Sequence, residues 1–521
     1  MKRCFINATI WKHSETAILV EDDRIIRLST AEALQDEISR CDEVIDLNGQ
    51  FVCPGFIDSH LHLLELGRYL ENVQLHTCTS RQQVLDRLRK REKELEPDEW
   101  LLGRGFNEEL FDVPEMPTKA DLDSISTTRP IAVTRSCGHK MVVNSKALEL
   151  ANMEEDSMVE GGTIDFEHGF LEETAITVLH GVWPKETAES IRRSILRGQQ
   201  ECNKYGITAV GSDDFISITH DWRLVLDVFM KMAYHGELTV RVNEQCEFPS
   251  PEEFAQFLDE GYTMDVGDDL FRIGPLKIIA DGSLGARTAA LTKDYSDDPG
   301  NSGYMVYSRS ELETWVKLAS DYNMPTITHA IGDRTVREVL NVYDKFVLPG
   351  NPLHYGLVHC QIMTPTEIRR AIDLNLCCYF QSLFIDDDAK ILKARVGSDR
   401  AASSYPFKTL YETVIASNGS DAPVETPDVV KGIQMAVTRT SLDGTASMNP
   451  DERMSAEQAL ESYTAKGAEA FFATDRFGSI EEGMYADFVV LDQDLTKVPA
   501  EDIHKTKVMM TVMNGETVFE R

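Results

Sequence analysis

The chain has 521 residues, 42% hydrophobic and 8% aromatic, a composition ordinary for globular protein and a length sufficient for two or three domains. Its 87 acidic against 52 basic residues leave a net charge of −35, which argues against nucleic acid and anionic membrane as partners, since their phosphates need Lys and Arg. The ten cysteines show no C-x-x-C spacing, the basic start has no signal-peptide-length apolar segment behind it, and no run approaches ~18 apolar residues, so a cytoplasmic protein is expected.

In chain order, residues 1 to 52 read as short strands, with alternation around Phe5, Ile18, Ile25 and Val44. The last stretch, 476–521, has the same texture and ends in a hairpin signal at Asn514-Gly515. Both ends are expected to form one composite β-sandwich domain. Between them, Gln50-Phe-Val-Cys-Pro-Gly-Phe-Ile-Asp-Ser-His60-Leu-His62 delivers two histidines two residues apart, which a strand can turn to one side. Further apolar strands follow at 206–211 and 238–242, and others carry or end on Lys277, His329, His359, Gln381 and Asp421. Eight strands alternating with helical patterns predict an α/β fold, a (β/α)8 TIM barrel over 53–475. The ligand-type residues all fall at the strands' carboxyl ends, where such barrels place their sites. Residues 66–185 are too many for one barrel connection and predict an α/β insertion after strand 1, helical at 80–95 and strand-like at 131–135. Insertions on that face often cover a site.

Four histidines, a lysine and an aspartate suit a divalent metal, zinc before manganese or iron. Lys277 can bind metal only after losing its charge. A buried neutral amine could take up carbon dioxide, giving a carbamate that bridges two metals. Otherwise Lys277 stays cationic, paired with Asp281 or another acid, beside one metal. Asp421 could be a ligand that also moves the proton in hydrolysis, or merely a cap for the following helix.

These residues carry a resemblance. The chain resembles the amidohydrolase superfamily, in particular the branch of YtcJ-like proteins and N-substituted formamide deformylases. The similar blocks are Pro54-Gly-Phe-Ile-Asp-Ser-His-Leu-His62, the block 135–148, Lys277-Ile-Ile-Ala-Asp-Gly-Ser-Leu-Gly-Ala-Arg287, His329-Ala-Ile-Gly-Asp-Arg334, His359-Cys-Gln361 and Gly419-Ser-Asp-Ala-Pro-Val424. The resemblance implies His60 and His62 on one metal, Lys277 as bridging carbamate, His329 and His359 on a second metal, and Asp421 as ligand and proton shuttle. It departs from the family at Val358, where Glu is frequent, and at Ala422, where Trp is frequent. His139, in the 135–148 block, resembles a histidine that reaches substrate. Asp281, Arg287 and Gln381 are further candidates for substrate contact, or, for Asp281 and Arg287, for orienting Lys277.

The expectation is therefore a metal-dependent hydrolase of a C–N bond in a small amide, N-substituted formamide-like or a related linear or cyclic amide, working as a homodimer. The alternatives are a one-metal deaminase-type hydrolase and a non-enzymatic barrel that keeps the scaffold.

Overall fold

The computed structural model describes the whole chain except residues 98, 138, 160, 184 and 265. It divides into two compact units, Met1–Gly67 with Ala188–Arg521, and Arg68–Thr187. Among the described residues no helix is long and apolar enough to cross a membrane.

The larger unit is built on a TIM barrel of eight parallel strands: β1 (Phe56–Leu61), β2 (Ile207–Ser212), β3 (Arg241–Cys246), β4 (Phe271–Ile279), β5 (Thr326–Ala330), β6 (Gly356–His359), β7 (Cys377–Phe380) and β8 (Ala416–Asn418). They pair in sequence order from β1 to β8. Ser59 Oγ donates to Asn418 O at 2.8 Å and Asp421 N to His60 O at 2.8 Å, which brings the last strand back to the first. A sheet twisted in one sense with inward-packing side chains can close in this way. Ile57, Ala209, Ile327, Val358 and Tyr379 pack with Phe471 and Phe477 in one apolar cluster. Two strands differ from the expectation: β3 starts at Arg241, later than 238, and β8 is a short segment that leaves Asp421 three residues past its end.

Strands from the two termini share one five-stranded sheet and a core. Phe51–Pro54 pairs antiparallel with Phe488–Leu491, which pairs with Val508–Met513, and that strand turns through Asn514 and Gly515, both at positive φ, into Glu516–Glu520. Phe5, Ile18, Val52, Phe488, Val490 and Val512 form a common buried cluster. Because Phe51–Pro54 leads through Gly55 into β1, this layer fixes the strand that bears His60 and leads to His62.

The smaller unit holds a six-stranded sheet ordered Gly162–Asp165, Phe170–Glu173, Lys140–Val143, Ile131–Arg135, Leu101–Phe106 and Val73–Gln74. Its helix Arg81–Glu92 is capped by Ser80, whose side chain accepts from Gln83 N, and it stops three residues before the expected end at 95. Gly138, inside the 135–148 block, lies outside the described residues.

Candidate metal centre

At the carboxyl ends of the strands, the chain places His60 from β1 and His62 just past its end, Lys277 from β4, His329 from β5, His359 from β6 and Asp421 after β8. Strand 8 can approach strand 1 this closely because Gly419 has no Cβ; one added there would lie 2.7 Å from His60 N. Asp58 ties the same corner, its Oδ1 accepting from Ser420 N at 3.0 Å and from His60 N at 3.3 Å. Burial pushes the Asp58 carboxyl up to about 7. His359 and Asp421 have φ of 80° and 60°, the left-handed region that His and Asp visit more readily than branched residues but that still costs energy.

All four histidines spend one ring N–H on an acceptor that the protein holds in place. His60 Nδ1 donates to Gln245 Oε1 at 2.6 Å, and the amide is oriented by its own Nε2 donating to Ser59 O at 2.9 Å. His62 Nδ1 donates to Asp213 O at 2.9 Å. His359 Nδ1 donates to Gln381 Oε1 at 2.8 Å, and His329 Nε2 donates to Gly282 O at 3.1 Å. The opposite nitrogen of each neutral ring is then a lone pair, the form in which imidazole binds metal. His60 Nε2 and His62 Nε2 lie 3.4 and 3.2 Å from Asp421 Oδ1, and His359 Nε2 lies 2.9 Å from His329 Nδ1. Two lone pairs at 2.9 Å repel unless a proton or a metal cation lies between them. Ligand atoms of His60, His62 and Asp421 all lie within 4.8 Å of one another, a spacing that fits one ion.

Electrostatics divide the group. Burial and Lys277 push His60 well below its ordinary range, and burial with His329 pushes His359 down to about 3, so both rings are neutral. Burial opposes a charge on His62, but its bond to Asp421 and the field of Asp213 lift it to about 10. Burial also works against the Asp421 carboxylate, yet His62, His60 and His359 hold it well below the usual range. Both shifts favour a proton shared by His62 and Asp421, whose atoms lie 3.2 Å apart, and a divalent metal would compete with that proton for the same lone pairs.

Lys277 is 3% exposed; its Nζ donates to Asp213 Oδ2 at 3.1 Å and lies 3.4 Å from His60 Nε2. Asp281 is fully enclosed and accepts from Ala290 N, Ile331 N, Gly332 N and Thr335 Oγ1, with His329 Nε2 at 3.3 Å. That geometry gives Asp281 to the 282–290 loop and to His329. Arg287 is held bidentate by Asp297 at 3.0 and 3.1 Å. Gln381 is 1% exposed and committed to His359. His139 belongs to the smaller unit, where its ring is exposed and lies 3.2 Å from Glu173. Gln245 and Asp213 were absent from the sequence-based expectation. Asp213 immediately follows an apolar strand, the same signal that marked the other ligands; Gln245 sits in the polar run Asn243-Glu244-Gln245, which hid it.

An eight-stranded barrel with histidines and an aspartate gathered at its carboxyl ends defines a metal-hydrolase type of site. Residues 43–519 match the amidohydrolase family, and the chain belongs to it. It is 31% identical to the amidohydrolase YtcJ of Bacillus subtilis over 515 residues, covering 97% of this chain and 96% of that protein. It is 24% identical to the N-substituted formamide deformylase of Arthrobacter pascens, covering 97% and 95%. An uncharacterized metal-dependent hydrolase from Pyrococcus furiosus has a similar structure, with a TM-score of 0.79 at 28% identity over 95% of this chain and 100% of that one.

Proposed function

We propose that this hydrolase cleaves the C–N bond of a small amide, an N-substituted formamide or a related linear or cyclic amide, with a divalent metal, zinc first, held by His60, His62 and Asp421. The observation that carries the reading is the convergence of two oriented imidazole Nε2 atoms, of His60 and His62, on one Asp421 oxygen at the barrel mouth. In a two-metal form of the site His329 and His359, which present two more lone pairs to each other, would hold the second ion. Bound there, the metal would acidify a water and polarise a carbonyl oxygen. Asp421, whose Oδ1 faces His62 and His60, takes the proton from the attacking water and returns it to the leaving nitrogen. The amide C–N bond breaks, and carboxylic acid and amine are the products.

Two forms of the site differ at Lys277. As a carbamate it would bridge two metals. The 3.1 Å contact with Asp213 supports the second form, a cationic Lys277 beside one metal, as in a deaminase-type hydrolase. The relative that acts on N-substituted formamides supports the choice of first substrates. The test is release of free amine from a panel of N-substituted formamides, linear amides and cyclic amides, with amino-heterocycles as the deaminase arm, by zinc-loaded protein. Amine from an amide, abolished in His60→Ala, is expected; ammonia from the heterocycles alone selects the deaminase form.

A further inference from the structure

The structure assigns to two buried glutamines, Gln245 and Gln381, the task of setting the metal-binding form of one histidine in each half of the site. This inference rests on the proposed metal reading and adds residues to it. In the half formed by β1, His62 is fixed by a main-chain carbonyl, Asp213 O, and His60 by a side-chain amide, Gln245. In the half formed by β5 and β6 the division repeats: His329 donates to Gly282 O, and His359 to Gln381. Each half therefore carries one ring that donates to a main-chain carbonyl and one that donates to a single glutamine.

The glutamines are built for this and for little else visible in the fold. Gln245 is fully buried and Gln381 is 1% exposed. Each amide is turned the right way round by its other end: Gln245 Nε2 donates to Ser59 O at 2.9 Å, and Gln381 Nε2 to Tyr379 O at 3.3 Å. An amide turned over would offer an N–H to Nδ1, so Nδ1 would have to become the acceptor and Nε2 would carry the proton, which removes the lone pair that faces Asp421 or His329. The anchors at Ser59 O and Tyr379 O forbid that turn. A neutral acceptor also adds no charge behind the ring, in contrast to the carboxylate that often stands at this place behind a metal-bound histidine. Asp281, the carboxylate near His329, accepts from three backbone N–H groups and Thr335, and its Oδ1 stands 3.3 Å from the same His329 Nε2 that donates to Gly282 O.

The test is metal retention by full-length protein loaded with zinc and dialysed against a graded chelator, measured as zinc per chain, for wild type, Gln245→Met, Gln381→Met, Gln245→Glu and Gln381→Glu. Methionine keeps the volume and removes the acceptor; glutamate keeps the acceptor. Each Met variant is expected to bind the zinc of its own half about 10- to 100-fold more weakly, the double Met variant to lose both, and the Glu variants to retain zinc close to wild type. The Glu variants separate lost orientation from lost folding, because they perturb the same buried position. Met variants that hold zinc as wild type does, or Glu variants that lose as much as Met, overturn the glutamine assignment and leave the metal reading standing. Wild type that retains no zinc overturns both.

Discussion

Asp421 is where the site's competing demands meet. Its Oδ1 faces His62 and His60, its amide N closes the barrel onto His60 O, and its backbone occupies the left-handed region at φ 60°. Removing the carboxylate therefore does more than remove a ligand: His62 loses the anion that holds its proton. In Asp421→Asn an oxygen remains to bind metal, but the group can no longer take a proton. We expect Asp421→Asn to keep zinc and to lose about 10²- to 10⁴-fold in turnover, the scale of a positioned acid–base group. Turnover within threefold of wild type would remove Asp421 from the proton path. Lys277 is read through its neighbour. Asp213 holds it at 3.1 Å, so Asp213→Asn releases the amine from an anionic partner. If the lysine works as a bridging carbamate, zinc per chain rises or is unchanged in Asp213→Asn with bicarbonate present; if it works as a cation, the buried lysine is left unpaired and the protein is destabilised.

At the scale of elements, the first two histidines depend on how closely two helices approach. Helix α1 (Leu63–Glu71) begins directly after His62 and crosses α2 (Ala188–Lys204), which leads into β2. A Cβ on Gly198 would lie 2.4 Å from Leu63 O, and one on Gly67 only 1.7 Å from Ser194 O, so the backbones touch through glycine. Gly198→Ala must push α1 away, at a cost of about 1–3 kcal/mol typical of overpacking. A lower unfolding temperature together with weaker zinc binding in the His60/His62 half is expected; unchanged values for both would show that α1 does not set that half. The same scale explains what could be read before the fold was known. Strands 1, 4, 5 and 6 are apolar runs that carry a ligand, so His60, His62, Lys277, His329 and His359 stood out by residue type and position. Strand 3 could not be placed as well. Its residues Arg241, Asn243, Glu244 and Gln245 are polar because the strand serves the site and the sheet below, with Arg241 paired to Asp487 at 2.6 Å. The apolar residues before it, Leu238 and Val240, drew the expected strand too early. Partnerships such as Gln381 with His359 lie between neighbouring strands, and the sequence shows each strand without showing which way its side chains turn.

For the whole molecule, an excess of 35 negative charges has a folded cost where carboxyls are buried together. Near the start of helix Ile385–Ala401, burial pushes Asp388 up to about 6 even though Tyr405 Oη donates to it, and burial with Asp387, Asp386 and Asp388 pushes Glu425 up to about 7. Both acids ionise near 4 when unfolded. The folded state therefore holds more protons between about pH 4 and 7, and by linkage the contribution is complete below pH 4 and is lost as pH rises through 6 to 7. Asp388→Asn lacks this ionisation, so its stability relative to wild type is expected to increase as pH is raised from 5 to 7.5, read as unfolding midpoints at each pH in chelator. A difference that does not change with pH would contradict the buried-carboxyl account. The strands of the sheet shared by the two termini, in which Phe51–Pro54 pairs with Phe488–Leu491, were legible as strand signals, while their pairing across more than 430 residues of chain was not.

Whether His60, His62 and Asp421 form a metal centre is decided by metal per chain, measured by elemental analysis of protein purified without chelator, beside the His60→Ala/His62→Ala variant. At least one equivalent of a divalent metal in wild type, with one equivalent lost in the variant, is the result this account predicts. Equal metal content in the two proteins, or none in wild type after loading with zinc, would contradict it.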